Sequence, residues 1–132
     1  METTMEQTFG LGAIGQIAQT VHDVEGATAF YRDRLGLRFL FAAPPGLAFF
    51  DCGGVRLMLS RPDSAELDHP GSVLYFRVED VPAAHEVLVG RGVTFIDEPH
   101  VVHRAADYDL WMTFFRDPEG NMLALMAEKP RS

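Results

Sequence analysis

The run Ile17-Ala-Gln-Thr-Val-His-Asp23-Val24 is written again as Leu74-Tyr-Phe-Arg-Val-Glu-Asp80-Val81, 57 residues later. Each copy alternates apolar and polar residues, as a strand with one buried face must, and each ends in an aspartate suited to cap a helix. Working outward, Val24, Ala27, Phe30, Tyr31 and Leu35 recur at helical spacing until Gly36. Val81, Ala84, Val87 and Leu88 do the same before Gly92, with Pro82 tolerated in the first turn. Short β-prone segments follow each glycine, Leu37 to Phe41 and Val93 to Ile96. Two more strands then close each half. The first pair is Phe49-Phe50-Asp51 and Val55 to Leu59, turned at Cys52-Gly53-Gly54. The second is Phe114-Phe115 and Leu123-Ala124-Leu125, turned at Pro118-Glu119-Gly120. The reading is an α+β fold of two tandem βαβββ modules, forming a cupped eight-stranded mixed sheet around a cavity. The domain covers residues 11–128, with module one at about 11–62 and module two at about 71–128. A linker from Arg61 to Gly71 joins them, and residues 1–10 and 129–132 are tails.

Composition narrows the function. A chain of 132 residues with 47% hydrophobic and 23% charged content can bury a core. A formal charge of −8, with Lys129 the only lysine, opposes nucleic-acid binding. No apolar run approaches the roughly 20 residues of a membrane span, so no membrane partner is expected. Met1 to Phe9 has no signal-peptide pattern, and the single Cys52 has no partner for an internal disulfide. Both features predict a cytoplasmic protein.

Period-two alternation sorts the strand residues onto two faces. Ile17, Val21, Phe50, Leu57, Leu59, Leu74, Phe76, Phe115, Leu123 and Leu125 form an apolar face, with Gln19 as its exception. The opposite face collects Gln16, Ala18, Thr20, Arg56, Met58, Val73, Tyr75, Arg77, Met112, Phe114, Met122, Ala124 and Met126. Any one of these methionines reads most simply as packing. As a set with Gln16, Tyr75 and two arginines, they read as the wall of a ligand cavity, because thioethers adapt to irregular apolar ligands.

The halves differ most between their second and third strands, where the offset grows from 56 at Gly36/Gly92 to 65 at Phe49/Phe114. The extra residues fall in 98–110, read as an inserted loop holding His100, His103, Arg104, Asp107, Tyr108 and Asp109. The H-x-x-H spacing alone makes a poor metal site. Two surface histidines are the simpler reading, and a lid carrying His103 over the cavity is the other. Trp111, after the insertion, either walls the entrance or packs as a core aromatic.

The strand–Asp–helix–Phe-Tyr–Leu-Gly run of Val21 to Gly36 resembles the vicinal oxygen chelate superfamily of glyoxalases, bleomycin-resistance proteins and dioxygenases. The Asp117-Pro118-Glu119-Gly120-Asn121 turn resembles it as well, and the likeness spans about residues 11 to 128. The resemblance implies a metal position formed from the first and last strand of each module. Here those positions carry Gln16, Met58, Val73 and Ala124. One amide, one thioether and two hydrocarbon side chains are a poor set for a divalent ion, so no metal cofactor is expected.

Three functions compete. The first is a protein that binds a small molecule at Gln16, Arg56, Met58, Val73, Tyr75, Arg77, His103, Trp111, Met112, Phe114, Met122 and Ala124. The two arginines favour a neutral or anionic ligand. The second is a lyase, isomerase or dioxygenase that needs no metal. There His103 acts as acid or base, Asp107 orients it, and Tyr75 and Arg77 stabilise an enolate or carboxylate. The third holds a metal through Gln16, His103 and a loop carboxylate, and ranks last. A homodimer is expected, since sheet edges need covering.

Overall fold

A computed structural model describes residues 9–131. Module one runs β1 (Gln16–Thr20), α1 (Val24–Ala29), β2 (Arg38–Ala43), β3 (Leu47–Cys52) and β4 (Val55–Ser60). Module two runs β5 (Leu74–Arg77), α2 (Val81–Gly90), β6 (His100–Arg104), β7 (Tyr108–Arg116) and β8 (Met122–Pro130). The strands form two four-stranded sheets of like order, β1-β4-β3-β2 and β5-β8-β7-β6, with no ladder joining them among the described residues. Within each, the first strand runs parallel to the last and the other pairs are antiparallel. The α+β, twice-written βαβββ architecture is therefore present, as two sheets rather than one continuous sheet.

Both aspartates cap their helices. Asp23 Oδ1 accepts from the Gly26 N–H at 3.1 Å, and Asp80 Oδ1 from the Ala83 N–H at 3.0 Å. Helix α1 is short and continues as a wider π-type turn over Phe30–Arg34, which seats Phe30 and Tyr31 in the core. The β3–β4 hairpin turns on Gly53 and Gly54 alone. Both have positive φ (65° and 95°), the backbone that a two-residue hairpin with matching twist demands.

One core serves both modules. Tyr31, Phe50 and Leu59 of module one and Val81, Phe115 and Leu123 of module two are all fully buried within it. Polar bonds also cross the junction. The Tyr31 hydroxyl donates to Asp117 Oδ2 at 2.8 Å, and Asn121 Nδ2 donates to the Thr20 carbonyl at 3.0 Å. Glu119 accepts from the backbone N–H groups of His22 and Asp23 at 2.9 and 2.8 Å. The D-P-E-G-N turn is thus an inter-module fastener as well as a hairpin.

The second strand of module two lies elsewhere than the alternation predicts. Val93 to Ile96 makes only an isolated bridge, Phe95 to Phe115, and β6 begins at His100. Asp97 explains the detour. Its carboxylate takes the Phe114 N–H at 2.8 Å and lies 2.9 Å from Thr113 Oγ1, replacing a strand partner. Pro99, two residues on, has no N–H to offer a ladder. Residues 98–110 are accordingly no inserted loop or lid: they form β6, a tight turn and the start of β7.

Candidate functional site

The face of each sheet turned away from the helices carries the predicted site residues other than Trp111. On sheet one, the register sets Gln16 beside Arg56, Ala18 beside Met58, and Met58 beside Phe49. The Arg56 guanidinium stands 5.5 Å from the Phe49 ring centroid, within cation–π range. Phe41 stacks on the same ring at 4.6 Å, because a bulge between Phe39 and Phe41 brings Phe41 to this face. Gln16 Nε2 rests 3.8 Å from Met58 Sδ, a weak contact that leaves the amide exposed.

On sheet two, Tyr75, Ala124 and Phe114 lie side by side on β5, β8 and β7. The two rings meet edge to face at 5.9 Å and 81°, and Ala124 between them is fully buried. The next row is Arg77, Met126, Met112 and His100, and beyond it lie Glu128, Leu110 and His103. Arg77 Nη1 reaches Glu128 at 3.3 Å, and both side chains are largely exposed. Met122 opposes Arg116 at the other end of β8, and Val73 just precedes β5 and is exposed.

Histidines three apart on a regular strand point to opposite faces. A bulge between Val101 and His103 cancels that, so His100 (opposite Met112) and His103 (opposite Leu110) share the face of the methionines. His100 Nδ1 is 2.8 Å from the Glu98 carbonyl, which can only accept, so Nδ1 carries a hydrogen. His103 is exposed, and no hydrogen bond joins it to Asp107 among the described residues. Asp107 sits in the β6–β7 turn, where its carbonyl accepts from the Arg131 N–H. The orienting pair suggested by the sequence is not formed.

Trp111 occupies the second of its two sequence-allowed places. It alternates with Thr113 and Phe115, opposes Val101 and Ala127, and packs half-buried against the core rather than at an entrance. Sequence reasoning missed Phe41, Phe49 and Leu110 on the site faces. Phe49 follows from strict alternation with the core residue Phe50, whereas Phe41 depends on a bulge that no residue pattern announces.

The superfamily's metal position fails on chemistry. Gln16 and Met58 supply an amide and a thioether from one sheet, while Val73 and Ala124 supply no donor from the other. Ala124 is moreover roofed by Tyr75 and Phe114. No group of three or more His, Cys, Asp or Glu side chains is placed to share an ion among the described residues.

A family model described as the glyoxalase/bleomycin resistance protein/dioxygenase superfamily matches residues 13–125. The chain belongs to that superfamily. Among curated proteins it is similar to uncharacterized protein YraH of Bacillus subtilis (strain 168), 28% identical over 123 residues, covering 83% of this chain and 94% of YraH. Among solved structures it is similar to lactoylglutathione lyase of Agrobacterium tumefaciens, at 27% identity and TM-score 0.71, covering 89% of this chain and 95% of that one. A superfamily member from Sphaerobacter thermophilus shares the fold at TM-score 0.73 and 24% identity, covering 89% and 98%. No helix among the described residues is long and apolar enough to cross a membrane.

Within one chain, the bonds and ring contacts on these faces stay inside their own sheet. The Arg56–Phe49–Phe41 stack belongs to sheet one and the Tyr75–Phe114 pair to sheet two. Phe41 and Tyr75 are each nearly half exposed. Each face thus carries its own aromatic contact, with Arg56 among the arginines of sheet one and Arg77 among those of sheet two.

Proposed function

We propose that this superfamily member binds a small neutral or anionic organic molecule, without a metal, between the open sheet faces of its modules. The observation that carries the reading is the Tyr75–Phe114 pair closed over Ala124, an aromatic wall standing where the superfamily resemblance implies a metal ligand. Met58, Met112, Met122 and Met126 provide adaptable apolar surface, and Arg56 and Arg77 provide charge for an acidic or carbonyl group. A homodimer completes the site: one face of one chain covers the other face of its partner. The exposed aromatics support this, since large apolar side chains gathered on a face mark a contact surface. The unpaired Cys52 supports a reducing, cytoplasmic setting.

A catalytic reading has one observation of its own, the bulge that turns His100 and His103 towards Arg77 and Met112 on a single face. An imidazole there could move a proton on an oxygenated substrate held by Arg77. His103 lacks an orienting partner, and ligand binding is therefore preferred.

The test pairs elemental mass spectrometry with a thermal-shift panel of apolar neutral, anionic and cationic compounds. Protein exposed to divalent ions and desalted should retain no stoichiometric metal, and hits should be neutral or anionic. One retained ion per chain, or stabilisation by cations alone, would overturn the reading.

A further inference from the structure

Two cavities border β5 and meet at Leu37, Phe76 and Arg77. The larger, about 670 Å³, opens between β1, the β3–β4 turn and β5, and its mouth touches Val73 and Tyr75 at the edge of the sheet face. The smaller, about 360 Å³, runs beneath α2 to Phe115 and Leu125. Their floor is the core itself, because Leu57, Leu88, Phe115 and Leu125 are each buried. Interiors are otherwise packed nearly as densely as organic crystals, and cavities of this size are what small ligands occupy.

The lining is charged in one sense. Arg38 borders the larger cavity, Arg91 the smaller and Arg77 both, against the single carboxylate of Asp51. Three arginines border the cleft in a chain of formal charge −8, and of these Arg91 is already engaged by the Arg34 carbonyl at 3.1 Å. Arg38 touches Asp51 only loosely, at 3.7 Å, and Arg77 shares one nitrogen with Glu128, so both keep donors free.

We infer that this cleft is a second ligand site, which takes an aliphatic carboxylate with its chain against Leu37, Phe76 and Leu88 and its head on Arg77 and Arg38. The apolar arm beneath α2 suits a hydrocarbon chain, and guanidinium forks match a carboxylate's two oxygens. The site shares Arg77 with the sheet-face site proposed above, and protection of Cys52, which lies on the core side, distinguishes the two. Cys52 lines the larger cavity and reports on its occupancy.

The experiment titrates the full chain with decanoate, decanol and decyltrimethylammonium below their micelle-forming concentrations. Calorimetry reads binding, and the rate of Cys52 alkylation by iodoacetamide reads occupancy. Decanoate should bind once per chain and slow alkylation, decanol should bind roughly tenfold more weakly, and the cation should not bind. Arg38→Gln and Arg77→Gln should each weaken decanoate roughly tenfold and leave decanol unchanged. Equal binding of all three compounds, or alkylation indifferent to decanoate, would overturn the inference. So would alkylation that slows with protein concentration alone, because a second copy would then be covering the cleft.

Discussion

Arg34 and Arg91, 57 residues apart, hold each other's backbone: Arg34 Nη1 donates to the Arg91 carbonyl at 3.0 Å, and Arg91 Nη1 donates to the Arg34 carbonyl at 3.1 Å. The repeat that opens each module thus ends in a reciprocal contact between its two copies. Each guanidinium also satisfies a carbonyl at the end of the other module's helical segment, where acceptors lack intrahelical partners. Arg34→Ala and Arg91→Ala should each cost about 0.5–1.5 kcal/mol in urea unfolding. A loss confined to one of the two would show that the symmetry is not energetic.

Tyr31 and Asp117 form the buried counterpart. Burial, followed by the neighbouring Asp117 carboxylate, pushes the Tyr31 phenol far above its ordinary range, so it stays a donor at any working pH. Asp117 also accepts from Asn121 Nδ2 and from the Glu119 and Asn121 N–H groups. Tyr31→Phe removes one bond to a charged acceptor and should cost about 1.5–3 kcal/mol. Asp117→Ala strands four donors and should cost more than about 3 kcal/mol. Urea midpoints in the reverse order would refute the assignment.

His22 gives the fold a pH dependence. Its Nε2 lies 2.9 Å from Asp68 Oδ1 on the linker, and its Nδ1 lies 3.1 Å from Glu119 Oε1 on the hairpin turn. The hydrogen bond to Asp68, then that to Glu119, raises its pKa above the ordinary histidine value. A raised folded-state pKa means the clasp contributes fully below the unfolded value of about 6.5 and is lost as pH rises through the folded one. The melting temperature should therefore decline as pH rises above the ordinary histidine value of about 6.5, and His22→Asn should flatten that slope. An unchanged slope in the variant would remove His22 from the account.

Gln19 is the odd member of the core face, fully buried with no hydrogen-bond partner for either amide atom among the described residues. Gly71 makes room for it, since a Cβ there would collide with Gln19 Oε1. Replacing a buried, unpaired amide with a hydrocarbon of similar volume removes a desolvation penalty. Gln19→Leu should stabilise the protein by about 1–2 kcal/mol in chemical denaturation. Destabilisation of that size would mean the amide is satisfied in solution by a bound water or partner.

The repeat made the fold legible, because one βαβββ unit cannot bury its apolar face alone and a second copy 57 residues on supplies the cover. Gln19 already stood out in the sequence as a polar residue on an apolar face. What stayed hidden were departures from period two. Bulges at Phe39/Phe41 and Val101/His103 changed which side chains share a face, and Asp97 displaced β6 by competing for backbone donors. Such events depend on a single side chain or one extra residue, and alternation cannot announce them. Apart from Trp111, which side chains share the open faces was readable residue by residue, whereas the separation of those faces onto two sheets is a matter of how the sheets are set, which strand patterns do not encode.

The central claim, one ligand held between both sheet faces, is tested most directly by methionine methyl NMR. Met58 reports on sheet one, and Met112, Met122 and Met126 report on sheet two. With ¹³C-methyl methionine protein and a neutral or anionic hit from the thermal-shift panel, the Met58 signal and those of Met112 and Met126 should shift together along one binding curve. Shifts confined to one sheet, separate curves for the two sheets, or four unmoved methyl groups would contradict it.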